Sequence, residues 1–177
     1  MLLKDGKKTT QIWAGPTGTQ TFPYYKSYKL FDPNDGSEKL LVDLARTYQP
    51  KIMLVALGIN GIAGRSEESF CRSYKSLICD LKEACPNTTF ICNSIYPVTK
   101  NYKKLNIINN AMITRGNSWI LRIAEETGCF YLDTASLFWQ EDGFANPDLM
   151  QKDGLHPNKD GLSLVLNYIR THACTHQ

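Results

Sequence analysis

The sequence lacks the features that mark a membrane segment or an export signal. No apolar run approaches the roughly 20 residues that a membrane-spanning helix needs. The basic N-terminal stretch is not followed by an apolar segment, so it does not have the pattern of a signal peptide. The compartment is left open, because a secreted or cell-surface location stays compatible with the chain if an N-terminal segment is missing from it.

A strong excess of charge of either sign is also lacking. The net charge is +3, and the lysines are scattered along the sequence rather than gathered in one stripe. This balance does not indicate nucleic acid or an anionic membrane as a partner. A length of 177 residues suits one domain with a proper core, so we expect a single domain over residues 1–177.

Metal-binding patterns are lacking as well. The six cysteines form no CxxC pair and have no metal-ligand spacing with histidine. We therefore expect no metal site, and we expect buried free thiols that behave as small apolar residues. A disulfide from Cys79 or Cys85 to a neighbouring element stays open for an exported protein.

What the sequence does contain is an alternation of strand and helix patterns. The predicted elements are a strand at 52–57, a helix at 66–85, a strand at 88–98, a helix at 104–126, a strand from 129 and a last helix after 158. This alternation predicts an α/β domain with a parallel sheet. Earlier in the chain we expect a short strand at 10–14, a turn at 33–36 and a helix at 38–48 with Ser37 as its N-cap.

Three loops are expected at the carboxyl ends of the strands, where ligands bind in open parallel sheets. They are GPTGT (15–19), GINGIAG (58–64) and DGLHPN (153–158). A histidine with a nearby aspartate, as in His156 and Asp153, can act as a general base whose tautomer the carboxylate fixes. Glycines let backbone N–H groups face a ligand, and the Asn60 amide can donate to an oxyanion.

These residues resemble the SGNH (GDSL-type) hydrolases, esterases built on a flavodoxin-like α/β/α sandwich. LGIN matches the family's third block through Gly58 and Asn60, although Gly61 replaces the usual acidic residue. Asp153 and His156, followed by proline, match the fourth block fully. Gly18 is the better candidate for the second block, with Gly15 as the alternative. The resemblance implies that His156 is the base, that Asp153 orients it, and that Asn60 and the Gly18 N–H form the oxyanion hole.

The family's nucleophile, a serine in a Gly-Asp-Ser block upstream of the glycine block, has no counterpart. No serine precedes Gly18, and Ser37 lies in the wrong order along the chain. Ser94, Ser118 and Ser136 fit no better by position. We expect either an N-terminally shortened form of a longer protein or a divergent member without the serine. In the family fold, a central first strand lies between the strand of the glycine block and the strand of the third block. Without it, these two strands must pair directly, or another element or a strand from a partner chain must take its place. The last alternative would make the protein a homo-oligomer.

Two functions from different classes follow. The first is an ester hydrolase acting on a small-molecule ester, with acetyl groups on carbohydrate as a common substrate of the family, and with no metal or organic cofactor. The second is a catalytically inactive binding module that keeps the pocket without a nucleophile. A weaker third candidate is an anion- or nucleotide-binding module at GPTGT, which lacks the lysine and spacing of a P-loop.

Overall fold

The computed structural model of the chain describes residues 25–32 and 34–172. The strands are β1 (Lys29–Phe31), β2 (Glu38–Leu40), β3 (Ile52–Val55), β4 (Thr89–Asn93) and β5 (Phe130–Leu132). The helices are α1 (Leu41–Tyr48), α2 (Ile59–Ile62), α3 (Glu67–Ala84), α4 (Asn110–Thr127) and α5 (Lys159–His172), with short 3₁₀ turns at Ala135–Leu137 and Pro147–Leu149. The strand predicted at 10–14 and the GPTGT loop, with Gly15 and Gly18, lie outside the described residues.

Strands β3, β4 and β5 form a parallel sheet in that order, flanked by helices. The central strand β4 is buried over most of its length, because its Phe90–Asn93 stretch is covered on both faces. Within the described residues, β3 pairs with β4 alone. This arrangement confirms the predicted α/β class with a parallel sheet.

The main core lies between the sheet and the helices α3 and α4. The apolar side of α3 is buried at the predicted helical spacing, through Phe70, Tyr74, Leu77, Ile78 and Leu81. A second, smaller cluster holds Phe138, Ala145, Met150 and Val165. Residues 150–160, which contain DGLHPN, form a loop that we call the histidine loop. Because Met150 begins this loop and Val165 lies on α5 after it, the second cluster fixes both ends of the histidine loop.

The helix predicted at 38–48 is wrong at its start, because residues 38–40 form strand β2, which pairs antiparallel with β1. Lys39 on β2 donates to the buried carboxylate of Asp32 at 2.6 Å, and this ion pair holds the segment extended. Ser37 is not the N-cap of α1. Its backbone N–H and its hydroxyl both donate to Asp35 Oδ1, at 2.8 and 2.6 Å, inside the turn between the two strands.

The strand predicted at 88–98 ends at Asn93, and the helix predicted from 104 begins at Asn110. Side chains of α4 explain the first boundary. Asn117 Oδ1 accepts from the Ile95 N–H at 2.7 Å and Asn110 Oδ1 from the Val98 N–H at 2.8 Å, so the chain after β4 binds to α4 instead of the sheet. Asn109 caps α4 by accepting from the Met112 N–H at 3.1 Å.

The five described cysteines are all free thiols. Cys71, Cys85 and Cys92 are buried, as predicted, and Cys129 is half-buried. Cys79 is exposed, so the prediction of burial is wrong for this residue, which lies on the solvent side of α3.

Candidate active site

An aspartate and a histidine meet in the loop between the last 3₁₀ turn and α5. Oδ2 of Asp153 lies 2.6 Å from Nδ1 of His156. The two side chains remain 46% and 64% exposed, respectively, so a ligand can reach the pair from solvent. Within the described residues, Nε2 of His156 has no hydrogen-bond partner, and this nitrogen is left to act on a bound molecule.

A local turn stabilises the close approach of the Asp153 and His156 side chains. Oδ1 of Asp153 accepts from the backbone N–H of Leu155 at 2.9 Å and of His156 at 3.0 Å. One carboxylate oxygen therefore binds the backbone while the other faces the imidazole. An aspartate three residues before a histidine suits both tasks, because Asp side chains readily bind the backbone two or three residues ahead.

Gln151 fixes the far side of the same loop. Its backbone N–H donates to the His156 carbonyl at 2.7 Å, and its side-chain amide donates to the Pro157 carbonyl at 3.1 Å. Its own carbonyl accepts from the Gly154 N–H at 2.9 Å. These three bonds hold the backbone of His156 in place. No pattern in the sequence indicates this role of Gln151, because its partners are backbone atoms of the loop.

Gly154 sits against the segment that follows β4. Its carbonyl accepts from the Thr99 N–H at 3.0 Å, and its φ of +72° is the left-handed conformation that glycine tolerates best. A Cβ at this position would overlap the Thr99 hydroxyl and lie 3.3 Å from the Tyr102 backbone. The histidine loop is thus docked on residues 99–102, and only glycine fits at the contact.

The charge on Asp153 is stabilised by the same contacts. Partial burial of Asp153 opposes ionisation, but the hydrogen bonds from the His156 side chain and from the His156 and Leu155 N–H groups outweigh it. The pKa of Asp153 is lowered to about 2. At neutral pH this side chain is therefore a carboxylate, the form that accepts a proton-bearing Nδ1 and favours a basic Nε2.

Asn60 lies at the carboxyl edge of the same sheet, in the first turn of α2 directly after β3, and is exposed. Gly58 before it has a φ of +144° and packs so closely on Ile95 that an added Cβ would lie 2.6 Å from the Ile95 Cδ1 atom. Ile95 belongs to the segment after β4 that also carries Thr99. The GINGIAG and DGLHPN loops therefore contact one shared segment, residues 95–102.

None of the four serines that the sequence analysis considered binds His156. The Ser37 hydroxyl donates to Asp35 Oδ1, the Ser136 hydroxyl to the Asp133 carbonyl at 2.7 Å, and the Ser118 hydroxyl to the Arg115 carbonyl at 2.7 Å. Ser94 is buried, where its hydroxyl accepts from the Ala135 N–H at 2.8 Å and joins the ends of β4 and β5. Each hydroxyl has a local structural role, and no nucleophile stands beside the histidine in the described part of the chain.

The described ranges contain no group of three or more His, Cys, Asp or Glu side chains arranged to hold a metal ion. None of the helices in these ranges has an apolar stretch of the length that a bilayer crossing requires.

Solved structures with the same fold include several esterases. A GDSL-like lipase from Bacteroides thetaiotaomicron is 15% identical with a TM-score of 0.63, covering 86% of this chain and 70% of that one. A carbohydrate esterase family 3 protein from Talaromyces cellulolyticus is 19% identical with a TM-score of 0.63, covering 88% and 67%. An acetyl xylan esterase is 15% identical with a TM-score of 0.59, covering 75% and 71%. At these identities the likeness establishes the fold, and it confirms the predicted SGNH-type α/β/α architecture.

No curated protein sequence matches the chain. The sequence model of the GDSL-like lipase/acylhydrolase family matches residues 6–163, which is most of the chain. The resemblance carried by LGIN and DGLHPN is thereby confirmed, and the chain belongs to the GDSL-like lipase/acylhydrolase family.

Proposed function

We propose that this protein is an ester hydrolase in which Asp153 and His156 form the acid–base arm of a Ser-His-Asp mechanism. The observation that carries the proposal is the 2.6 Å contact between Asp153 Oδ2 and His156 Nδ1, in a His156 side chain that is 64% exposed. Family membership supports acylhydrolase chemistry. The roles of the individual residues are our inference from their contacts.

In the proposed reaction, His156 Nε2 takes the proton of a serine hydroxyl while the serine oxygen attacks the ester carbonyl carbon. The alcohol then leaves with the proton from His156, and an acyl-enzyme remains. Water attacks this acyl group, and His156 again takes and returns the proton, so that the acid is released and the serine is restored. Asp153 accepts a hydrogen bond from Nδ1–H and stabilises the imidazolium during both the formation and the hydrolysis of the acyl-enzyme. No metal or organic cofactor takes part.

We assign the oxyanion hole to the Asn60 side-chain amide and to the backbone N–H of Gly18. Asn60 lies at the correct edge of the sheet for this task, one turn after β3. Loss of one such donor typically costs about 3 kcal/mol of transition-state stabilisation. The assignment of Gly18 rests on the sequence resemblance alone, because this residue lies outside the described ranges.

For the substrate, we propose an acetyl ester on a carbohydrate. The support comes from the fold relatives, which include proteins named as a carbohydrate esterase and an acetyl xylan esterase. The exposure of His156 agrees with a polymer substrate, since the Asp153 and His156 side chains are 46% and 64% exposed.

A second candidate is a catalytically inactive binding module with the same fold. One observation favours it: within the described residues, no serine hydroxyl is hydrogen-bonded to His156. Retention of the Asp153–His156 pair counts against this candidate, because a binding module needs no oriented imidazole.

The test is turnover of 4-nitrophenyl acetate by the natural full-length protein and two histidine variants. We expect measurable turnover that His156→Ala lowers about 1,000-fold or more, as removal of a general base does in serine hydrolases. His172→Ala is the matched control, since His172 is exposed at the end of α5 and stacks on Tyr168. Turnover that survives His156→Ala, or the absence of turnover in the folded protein, would overturn the proposal.

A further inference from the structure

One segment of the chain carries positive charge with no acidic neighbour in sequence. No Asp or Glu occurs between Glu83 and Glu125, and within this stretch Lys100, Lys103 and Lys104 lie close together after β4. All three side chains are exposed. Among the described residues, none of the three forms an ion pair, in contrast to the pairs Lys26–Asp80, Lys39–Asp32 and Lys75–Glu126.

The three lysines stand beside the proposed catalytic loop. Thr99, which precedes Lys100, donates its N–H to the Gly154 carbonyl at 3.0 Å. Tyr102, which precedes Lys103, has backbone atoms 3.3 Å from the position of a Gly154 Cβ. Since Gly154 is two residues from His156, the fold places this group of lysines next to the histidine loop, from which it is about fifty residues distant in the sequence. We name residues 99–104 the basic rim.

Within the described residues, the carboxylates around the basic rim form no ion pair with its lysines. The histidine loop, residues 150–160, holds Lys152 and Lys159 against Asp153 and Asp160, so this loop is neutral when His156 is uncharged. Beyond this loop, the exposed Asp148 lies in the neighbouring 3₁₀ turn, and Glu141 and Asp142 belong to a separate turn whose Gly143 carbonyl accepts from the Asn110 side-chain amide. Among the residues that the structure describes, the three lysines of the basic rim thus carry positive charges that no carboxylate pairs with.

We infer that the basic rim makes the site selective for acyl esters carried on anionic polysaccharides. This inference rests on the proposed function and names its substrate class. Lysine ammonium groups are compact, hydrated point charges that attract carboxylates spaced along a flexible polymer without requiring a fixed geometry. Such attraction raises the local concentration of an anionic substrate at the site and lowers its KM.

An anionic membrane surface is a poorer fit to the same charges. Interfacial binding combines basic residues with several apolar side chains that insert between the lipids. In the basic rim and the turns after it, Tyr102 and Leu105 pack on the core and Ile108 is buried. Ile107, at 49% exposure, is the one large apolar side chain that these turns present to solvent within the described residues.

The first test compares two substrates, acetylated polygalacturonate and 4-nitrophenyl acetate, with Lys100→Gln/Lys103→Gln in the natural full-length protein. We expect the ratio of kcat/KM for the polymer to kcat/KM for the neutral ester to fall about tenfold, mainly through the KM of the polymer. Raising NaCl from about 20 mM to about 500 mM should reduce the same ratio in the unmodified protein, because salt screens exposed charges. Lys29→Gln/Lys51→Gln, which removes two exposed lysines on β1 and before β3, should leave the ratio unchanged.

The second test is independent of catalysis and uses affinity electrophoresis in gels that contain unacetylated polygalacturonate. Retardation of the unmodified protein, and its loss in Lys100→Gln/Lys103→Gln but not in Lys29→Gln/Lys51→Gln, supports the inference even if no ester is turned over. Equal retardation of both double variants would overturn it. The inference also fails if vesicles of phosphatidylglycerol and phosphatidylcholine bind the protein through Lys100 and Lys103 while polygalacturonate does not.

Discussion

The carboxylate of Asp153 binds its own loop through Oδ1 and the His156 imidazole through Oδ2, at 2.6 Å from Nδ1. One side chain thus shapes the turn and orients the ring. A substitution at Asp153 therefore affects both the backbone and the chemistry, whereas a substitution at His156 leaves the turn intact.

Asp153→Asn should lower kcat for 4-nitrophenyl acetate by about 100-fold or more with a much smaller change in KM. The asparagine keeps an oxygen for the backbone N–H groups, but its neutral amide stabilises the imidazolium poorly and favours the wrong tautomer. Steady-state kinetics gives both constants. Asp148→Asn is the control, because this exposed aspartate lies in the neighbouring 3₁₀ turn. A variant with wild-type kcat would remove Asp153 from the mechanism.

Gly154→Ala should cost more stability than Gly143→Ala, and comparing the two isolates the contact with Thr99. Both glycines have positive φ, +72° and +78°, so both substitutions carry a similar backbone strain of roughly 1–2 kcal/mol. An alanine at 143 meets no atom within 4 Å, whereas at 154 it overlaps the Thr99 hydroxyl. We expect an additional loss of about 1–3 kcal/mol in the free energy of unfolding, measured in urea. Equal losses would show that the loop moves freely away from Thr99.

The pKa of Asp153 should be close to 2 in the unmodified protein and should rise toward its ordinary value of 3.8 in His156→Ala. The hydrogen bond from the imidazole is lost in this variant, while the two backbone N–H bonds remain, so the shift is partial. A folded-state pKa below the unfolded value means that this stabilisation is present above pH 3.8 and is lost as pH falls through about 2. Carboxyl ¹³C chemical shifts follow the titration directly. An unchanged midpoint in His156→Ala would mean that the backbone N–H groups alone lower the pKa.

Cys129 should react with iodoacetamide near neutral pH far faster than Cys92. A hydrogen bond from the Cys92 thiol lowers the pKa of Cys129 below its ordinary value, and Thr127 and the nearby Lys82 lower it further, against the effect of burial, which raises it. The fully buried Cys92 is held protonated, with its pKa raised by the same bond and by burial. Mass spectrometry of peptides after timed alkylation measures both rates. Cys92→Ala should raise the pKa of Cys129, and Cys85→Ala, which removes another buried thiol, should not.

Much of the central fold follows from local patterns in the sequence. The apolar run of β3 and the spacing of Phe70, Tyr74 and Leu77 on α3 predict their elements, because burial imposes those periods on any sequence. The predicted boundaries fail where long-range polar contacts decide them. Asn117 and Asn110 bind the chain after β4 across 22 and 12 residues, and a local pattern does not show these pairings. The start of the helix predicted at 38–48 fails through a shorter-range pair, Lys39 with Asp32, which are seven residues apart.

In the candidate site, too, local sequence patterns predict some features, and contacts between distant segments decide the others. The spacing of Asp153 and His156 is local, and the structure places their side chains in contact. The Thr99–Gly154 hydrogen bond and the position of the basic rim depend on how two loops meet across the sheet edge, so the sequence alone does not reveal them. The catalytic roles of Asp153, His156, Asn60 and Gly18 all stay predictions.

The most direct test of the central claim is labelling of the natural full-length protein with a fluorophosphonate, which reacts with a serine hydroxyl that a histidine activates. We predict one adduct per chain in the intact mass, on a single serine, and its loss in His156→Ala with the circular dichroism spectrum unchanged. A folded protein that forms no adduct, or forms it equally well without His156, would contradict the account and favour the binding module.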